Sequence, residues 1–167
     1  MCIRDSASSN AVSGTSNMLG QYADNNAVSG RMNTLGNNAL SNAVSGSFNR
    51  LGNNARENAV SGSFNTLGNS ALRNAVSGLY NSLGDTSDNN DVTGEGNVLG
   101  VNADQNNVSG GLNTLGDGSF QNTVSGLSNT LGINNTANAV SGQSNICLLY
   151  TSPSPRDLST SRMPSSA

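Results

Sequence analysis

The chain has no histidine, no tryptophan and no lysine, and only 4% of its 167 residues are aromatic. Without histidine, an acid–base relay would have to rest on carboxylates, and no pair of acids recurs at a spacing that converges on one point. Both cysteines (Cys2 and Cys147) and all three prolines (Pro153, Pro155 and Pro164) lie near the ends, so residues 7–145 contain neither type. That excludes a disulfide framework for this stretch and leaves the redox compartment unspecified. Charge is equally sparse. Between 7 and 145 there are four Arg (31, 50, 56, 73) against eight acids (24, 57, 85, 88, 91, 95, 104, 117), a net of 4 minus 8, or −4. No basic stripe exists to bind nucleic acid, and no apolar run of about 18 residues could span a membrane.

What the chain does have is one 16-residue phrase, cleanest as Asn58-Ala-Val-Ser-Gly-Ser-Phe-Asn65-Thr-Leu-Gly-Asn-Ser-Ala-Leu-Arg73. It recurs without insertion or deletion, its first Asn falling at 10, 26, 42, 58, 74, 90, 106, 122 and 138. A second Asn column runs from Asn17 to Asn145, Val is invariant from Val12 to Val140, and Leu is invariant from Leu19 to Leu131. A period of 16 is too short for paired helices and matches one coil of a β-solenoid. Two Gly per unit would each cost a helix about 1 kcal/mol, whereas strands suit Val, and corners suit Gly. The expected fold is therefore all-β: a single-domain β-solenoid, or β-roll, of about nine coils, about 40 Å long at ~4.7 Å per coil.

The phrase divides into Asn-x-Val-Ser-Gly and Asn-x-Leu-Gly, read as two versions of one bend and strand, with the glycines at the corners. Val and Leu are expected inside, and alternation sends Ala59 and Ser61 outward around Val60. The two Asn columns (Asn26, Asn42, Asn58, Asn74, Asn106 and Asn33, Asn49, Asn65, Asn81, Asn113) are expected to form internal ladders. Stacked amides satisfy one another only if every rung is present, and turn preference alone would admit Asp, Ser or Gly. The apolar residues before the second Asn (Met32, Phe48, Phe64, Tyr80) are expected to form a second core stripe. A polar return segment supplies one small inward residue, Ala at 23, 39, 55, 71 and 103. Asp85-Thr-Ser-Asp-Asn-Asn-Asp91 is acidic, but it lacks the spacing of a calcium loop, so no metal and no cofactor is expected.

The outward columns beside Val are small and nearly uncharged. Ala27, Ala43, Ala59, Ala75 and Thr123 make one, and Ser29, Ser45, Ser61, Ser77, Ser109 and Ser125 the other. They are expected to form a flat face that orders water in a lattice-like way. The outward column beside Leu (Met18, Thr34, Arg50, Thr66, Ser82, Val98, Thr114, Thr130) is broken by charge and bulk.

Two resemblances and a third reading follow from these motifs. Tandem Asn-x-Val-x-Gly, best in Asn122-Thr-Val-Ser-Gly126, resembles the ice-recrystallisation-inhibition domains of cold-tolerant grasses, which implies adsorption to ice by a non-enzymatic monomer. The second half-unit is one residue short of that pattern. Leu51-Gly-Asn-Asn-Ala55 resembles head repeats of trimeric autotransporter adhesins and phage fibres, which implies a trimer that binds an extracellular surface ligand. A ligand-free spacer is the third reading. Either of the first two implies an extracellular or cell-surface location.

Finally, Met1–Ser6 can be back-translated so that its reverse complement, in another frame, encodes Cys147-Leu-Leu-Tyr-Thr151. These ends resemble a translated sequencing adapter. The expected division is therefore 1–6 adapter-derived, 7–145 solenoid, and 146–167 adapter-derived and disordered.

Overall fold

The computed structural model describes the backbone of residues 2–3 and residues 8–147 in full. These residues form a parallel β-solenoid of about nine turns, with no helix among them. One sheet has nine strands: β2 (Ala11–Val12), β4 (Ala27–Arg31), β6 (Ala43–Ser47), β8 (Ala59–Ser63), β10 (Ala75–Leu79), β12 (Asp91–Glu95), β14 (Asn107–Gly111), β16 (Thr123–Leu127) and β18 (Ala139–Gln143). The other has ten two-residue strands, from β1 (Cys2–Ile3) and β3 (Met18–Leu19) through β9 (Thr66–Leu67) to β19 (Ile146–Cys147). Every pairing is parallel and joins residues 16 apart, as Val60 to Val76 and Leu67 to Leu83. A third side is held by single bridges such as Leu40 to Arg56 and Arg56 to Leu72.

The two half-units are therefore not equivalent. The Val half makes a five-residue strand and the Leu half a two-residue one. The ladder also extends past residue 145, because Ile146–Cys147 pairs with Thr130–Leu131. The expected disordered tail thus begins too early at 146. Its remainder, 148–167, lies outside the described residues.

Each coil presents three inward side chains, one per side, and in most coils all three are apolar, as Val60, Leu67 and Ala71, which are buried. Where the third position is not Ala, its polar group finds a partner: the hydroxyl of Ser87 donates to the Gly100 carbonyl at 2.9 Å and that of Ser119 to the Gly116 carbonyl at 2.7 Å. The expected second core stripe is corrected. Met32, Phe48, Phe64 and Tyr80 are exposed, because each directly precedes an inward Asn and a core three residues wide has no room for a fourth.

The corners also differ from expectation. In the coil Asn58–Arg73 the left-handed residues at the bends are Phe64, Ser70 and Arg73, with φ of 58°, 57° and 56°. Non-glycine residues in this region are disfavoured by about 1 kcal/mol or more. Each N–H there bonds to the preceding coil, as Phe64 to the Ser47 carbonyl at 3.0 Å and Ser70 to the Asn53 carbonyl at 2.8 Å. Glycine serves two other purposes. Gly62 lies within β8 at φ 104°, and Gly68, with no positive φ, is required because a Cβ would sit 2.5 Å from the Asp85 nitrogen of the next coil.

Both Asn columns form buried ladders. The Asn65 side-chain amide donates to Asn49 Oδ1, to the Ser61 carbonyl and to the Gly78 carbonyl, each at 3.0 Å. Its own Oδ1 accepts the backbone N–H and the side-chain amide of Asn81, both at 3.1 Å. The other column repeats this with one carbonyl, Asn58 donating to Asn42 Oδ1 at 3.0 Å and to the Ala71 carbonyl at 2.9 Å. No buried side-chain N or O among the described residues lacks a partner. An exterior ladder runs in the opposite sense: backbone N–H groups of Asn37, Asn53 and Asn69 donate forward to Asn53 Oδ1, Asn69 Oδ1 and Asp85 Oδ1 at 2.9, 2.9 and 2.7 Å.

Candidate functional site

The eleven residues expected on the outward face all lie on the nine-stranded sheet, in β4, β6, β8, β10, β14 and β16. In-register pairing places Ala27, Ala43, Ala59 and Ala75 in one row and Ser29, Ser45, Ser61 and Ser77 in the next, with buried Val28, Val44, Val60 and Val76 between. No side chain in these rows is longer than a hydroxymethyl group. The face can therefore be approached closely over several coils.

The face is not flat as expected. The rows line an open trough of about 770 Å³, from Ala11, Val12 and Ser13 at one end to Ser77 and Asp91 at the other. Its lining is mostly methyl and backbone, with one hydroxyl per coil along one side. Asp91 pairs with Ala75 in register, so it puts a carboxylate at the end of an otherwise uncharged Ala row. Asn107 continues the interruption before Thr123. The trough thus brings together Ala27 to Ser77, while Ser109, Thr123 and Ser125 continue the sheet beyond Asp91, outside the trough. The concavity and the closing role of Asp91 were missed in the sequence. The second could have been found there, since Asp91 is the first charged residue in its column.

The other sheet has the broken outer column expected of it. Arg50 stands between Thr34 and Thr66 in register, and Met18 and Val98 are exposed. The acidic stretch 85–91 has a structural use. Asp85 and Asp88 each accept a backbone N–H from the preceding coil, Asn69 at 2.7 Å and Leu72 at 2.9 Å. Among the described residues no group of three or more Asp, Glu, His or Cys side chains converges on a point that could hold a metal ion. Burial raises the Asp88 carboxyl above its ordinary value; the Leu72 N–H opposes this, neighbouring Asp104 adds to it, and Arg73 opposes it. No helix of the described residues is long and apolar enough to cross a membrane.

In comparisons with known proteins, no protein-family model matches the chain, and no curated protein does either.

Proposed function

We propose that the protein binds ice, and inhibits its recrystallisation, through the Ala and Ser rows of the nine-stranded sheet. The observation that carries this reading is the in-register pairing that repeats the same methyl and hydroxyl at every coil from Ala27/Ser29 to Ala75/Ser77. Parallel strands stack about 4.7 Å apart, so the hydroxyl row is a one-dimensional lattice fixed by the backbone. Short side chains on a sheet have little rotamer freedom to lose, and each coil is tied to its neighbours by two amide ladders. Water held in the trough would be anchored by the Ser row and bounded by methyl groups. Ordinary solvated faces, with mobile charged side chains, hold no such pattern.

The test is an ice recrystallisation assay on the whole chain at micromolar concentration. Tyr at both Ser61 and Ser77 is expected to abolish inhibition, with far-ultraviolet circular dichroism unchanged. Tyr at Thr66, on the other sheet, is expected to matter far less. A folded wild-type rod that leaves ice grain growth unchanged would end this reading.

A further inference from the structure

One exposed feature is used neither by the core nor by the trough. At the corner after the nine-stranded sheet, two neighbouring columns carry an apolar ridge. The corner column reads Ser16, Met32, Phe48, Phe64, Tyr80, Gly96, Leu112. The strand-end column beside it reads Thr15, Arg31, Ser47, Ser63, Leu79, Glu95, Gly111. Phe48, Phe64 and Tyr80 stack with ring centroids 4.8 and 4.9 Å apart, and Arg31 lies over the Phe48 ring at 5.7 Å. The ring faces therefore cover one another, and their edges face solvent. Met32, Phe48, Phe64, Leu79, Tyr80 and Leu112 are between 38% and 62% exposed. Contiguous exposed apolar surface of this kind marks an interaction site.

We infer that this ridge is the interface of an antiparallel homodimer whose two-fold axis passes beside Phe64. A two-fold interface brings residue i against j and j against i. About an axis at Phe64, residues equally many coils away on either side face each other across the pair. Phe48 then meets Tyr80 of the second copy, and Met32 meets the level of Gly96, where Leu112 Cδ2 lies 2.9 Å from the place a Cβ would take, so that Met32 packs on Leu112. Ser47 meets Leu79, Ser16 meets Leu112, and Thr15 meets Gly111, so a small residue faces a large one at the first and third levels from the axis. Arg31 meets Glu95. Both are exposed, and neither makes an ion pair within its own chain among the described residues. The parallel alternative would set Arg31 against Arg31 and Glu95 against Glu95.

The area is sufficient for such a contact. A large side chain carries about 200 Å², so six residues roughly half exposed offer about 500 to 600 Å² per copy. Covering all of it on both copies would bury about 1,000 to 1,200 Å², which reaches the ~1,000 Å² that separates specific interfaces from chance contacts. None of the ridge residues lines the trough, so dimerisation and the proposed ice binding fail or succeed separately.

Sedimentation velocity on the whole chain, under reducing conditions, tests the inference. A monomer–dimer equilibrium is expected at roughly micromolar to tens of micromolar protein, as for a small specific interface. Phe64→Ser, which places at this corner the residue found in the same column at Ser128 and Ser144, is expected to leave only monomer with the circular dichroism spectrum retained. Arg31→Glu or Glu95→Arg alone is expected to weaken the dimer about tenfold, and the two together to restore it. In a parallel pair the single swaps would exchange one repulsion for another and change little. A wild-type chain that stays monomeric at about 100 μM, a trimer, or a double swap that fails to restore association would overturn the inference.

Discussion

Removing one rung of an internal ladder should cost far more than removing an Asn from the surface. Asn65→Ala deletes an acceptor that takes two donors from Asn81 and a donor shared among Asn49 Oδ1, the Ser61 carbonyl and the Gly78 carbonyl. The Asn81 side-chain amide keeps its bonds to the Ser77 and Gly94 carbonyls, but the buried Asn81 backbone N–H keeps none. An orphaned buried donor costs about 1–3 kcal/mol, and the void and the under-bonded carbonyls add to it, so about 3–5 kcal/mol is expected. Asn54→Ala removes only an exposed acceptor for the Asn38 amide at 3.2 Å and places Ala at φ 58°. That should cost about 1 kcal/mol, mostly the left-handed penalty that Asn bears better than Ala. Repeat arrays depart from two-state behaviour, so the quantity to compare is the urea midpoint by circular dichroism, with the slope checked for constancy. Equal midpoint shifts for the two variants would refute the reasoning, because they would mean that the inner amides add nothing beyond a turn preference.

Three further outcomes follow from single positions. The raised Asp88 carboxyl binds its proton more tightly folded than unfolded, so its contribution is fully present below its ordinary pKa of 3.8 and is lost as pH rises through the raised value. Asp88→Asn, which keeps an oxygen for the Leu72 N–H, should therefore be more stable than wild type at pH 7, with the difference vanishing below about pH 4 in paired melts. Ala137 stands at φ 56° without any side-chain polar contact to lose, so Ala137→Gly should raise the midpoint by about 1 kcal/mol equivalent. Gly68→Ala should destabilise by about 1–3 kcal/mol or more, since its Cβ meets the Asp85 nitrogen and the Gly84 carbonyl carbon of the next coil at 2.5 and 2.6 Å, backbone atoms that cannot move aside as the Asp85 carboxylate, also at 2.5 Å, can; an unchanged melting temperature would contradict the close packing of coils.

The repeat period, the sheet-forming columns and the ladders were legible in the sequence because they depend on identity at fixed phase. Val60, Leu67 and Asn65 recur every 16 residues, and stacking translates that phase directly into register. The trough was not legible, because concavity depends on how the backbone bends over several coils, and column identities carry no record of that. The aromatic row was misread for a different reason. Counting hydrophobicity sent Phe64 inward, whereas alternation from the inward Asn65 sends it outward, and alternation prevailed. A coil with inward Val60, Leu67, Ala71 and two Asn is already closed. An added ring inside would separate the ladder partners beyond their 3 Å contacts at both neighbouring interfaces.

The same closure explains why functional variation in this chain must lie outside. An inward substitution disturbs two coil interfaces at once, so the nine copies hold their inner columns almost fixed, and only outward columns are free to differ from coil to coil. Those columns differ unevenly. The Ala and Ser rows stay constant across five successive coils and then meet Asp91 and Thr93, while the corner column passes from Met32 through three stacked rings to Gly96. Drift on a solvated surface would scramble both columns alike. A uniform row suits a periodic ligand, which must meet the same group at every coil. A row that changes from coil to coil, small at Ser16, large from Met32 to Tyr80, empty at Gly96 and large again at Leu112, suits a single partner met in one register, and a second copy of the same row reversed is such a partner.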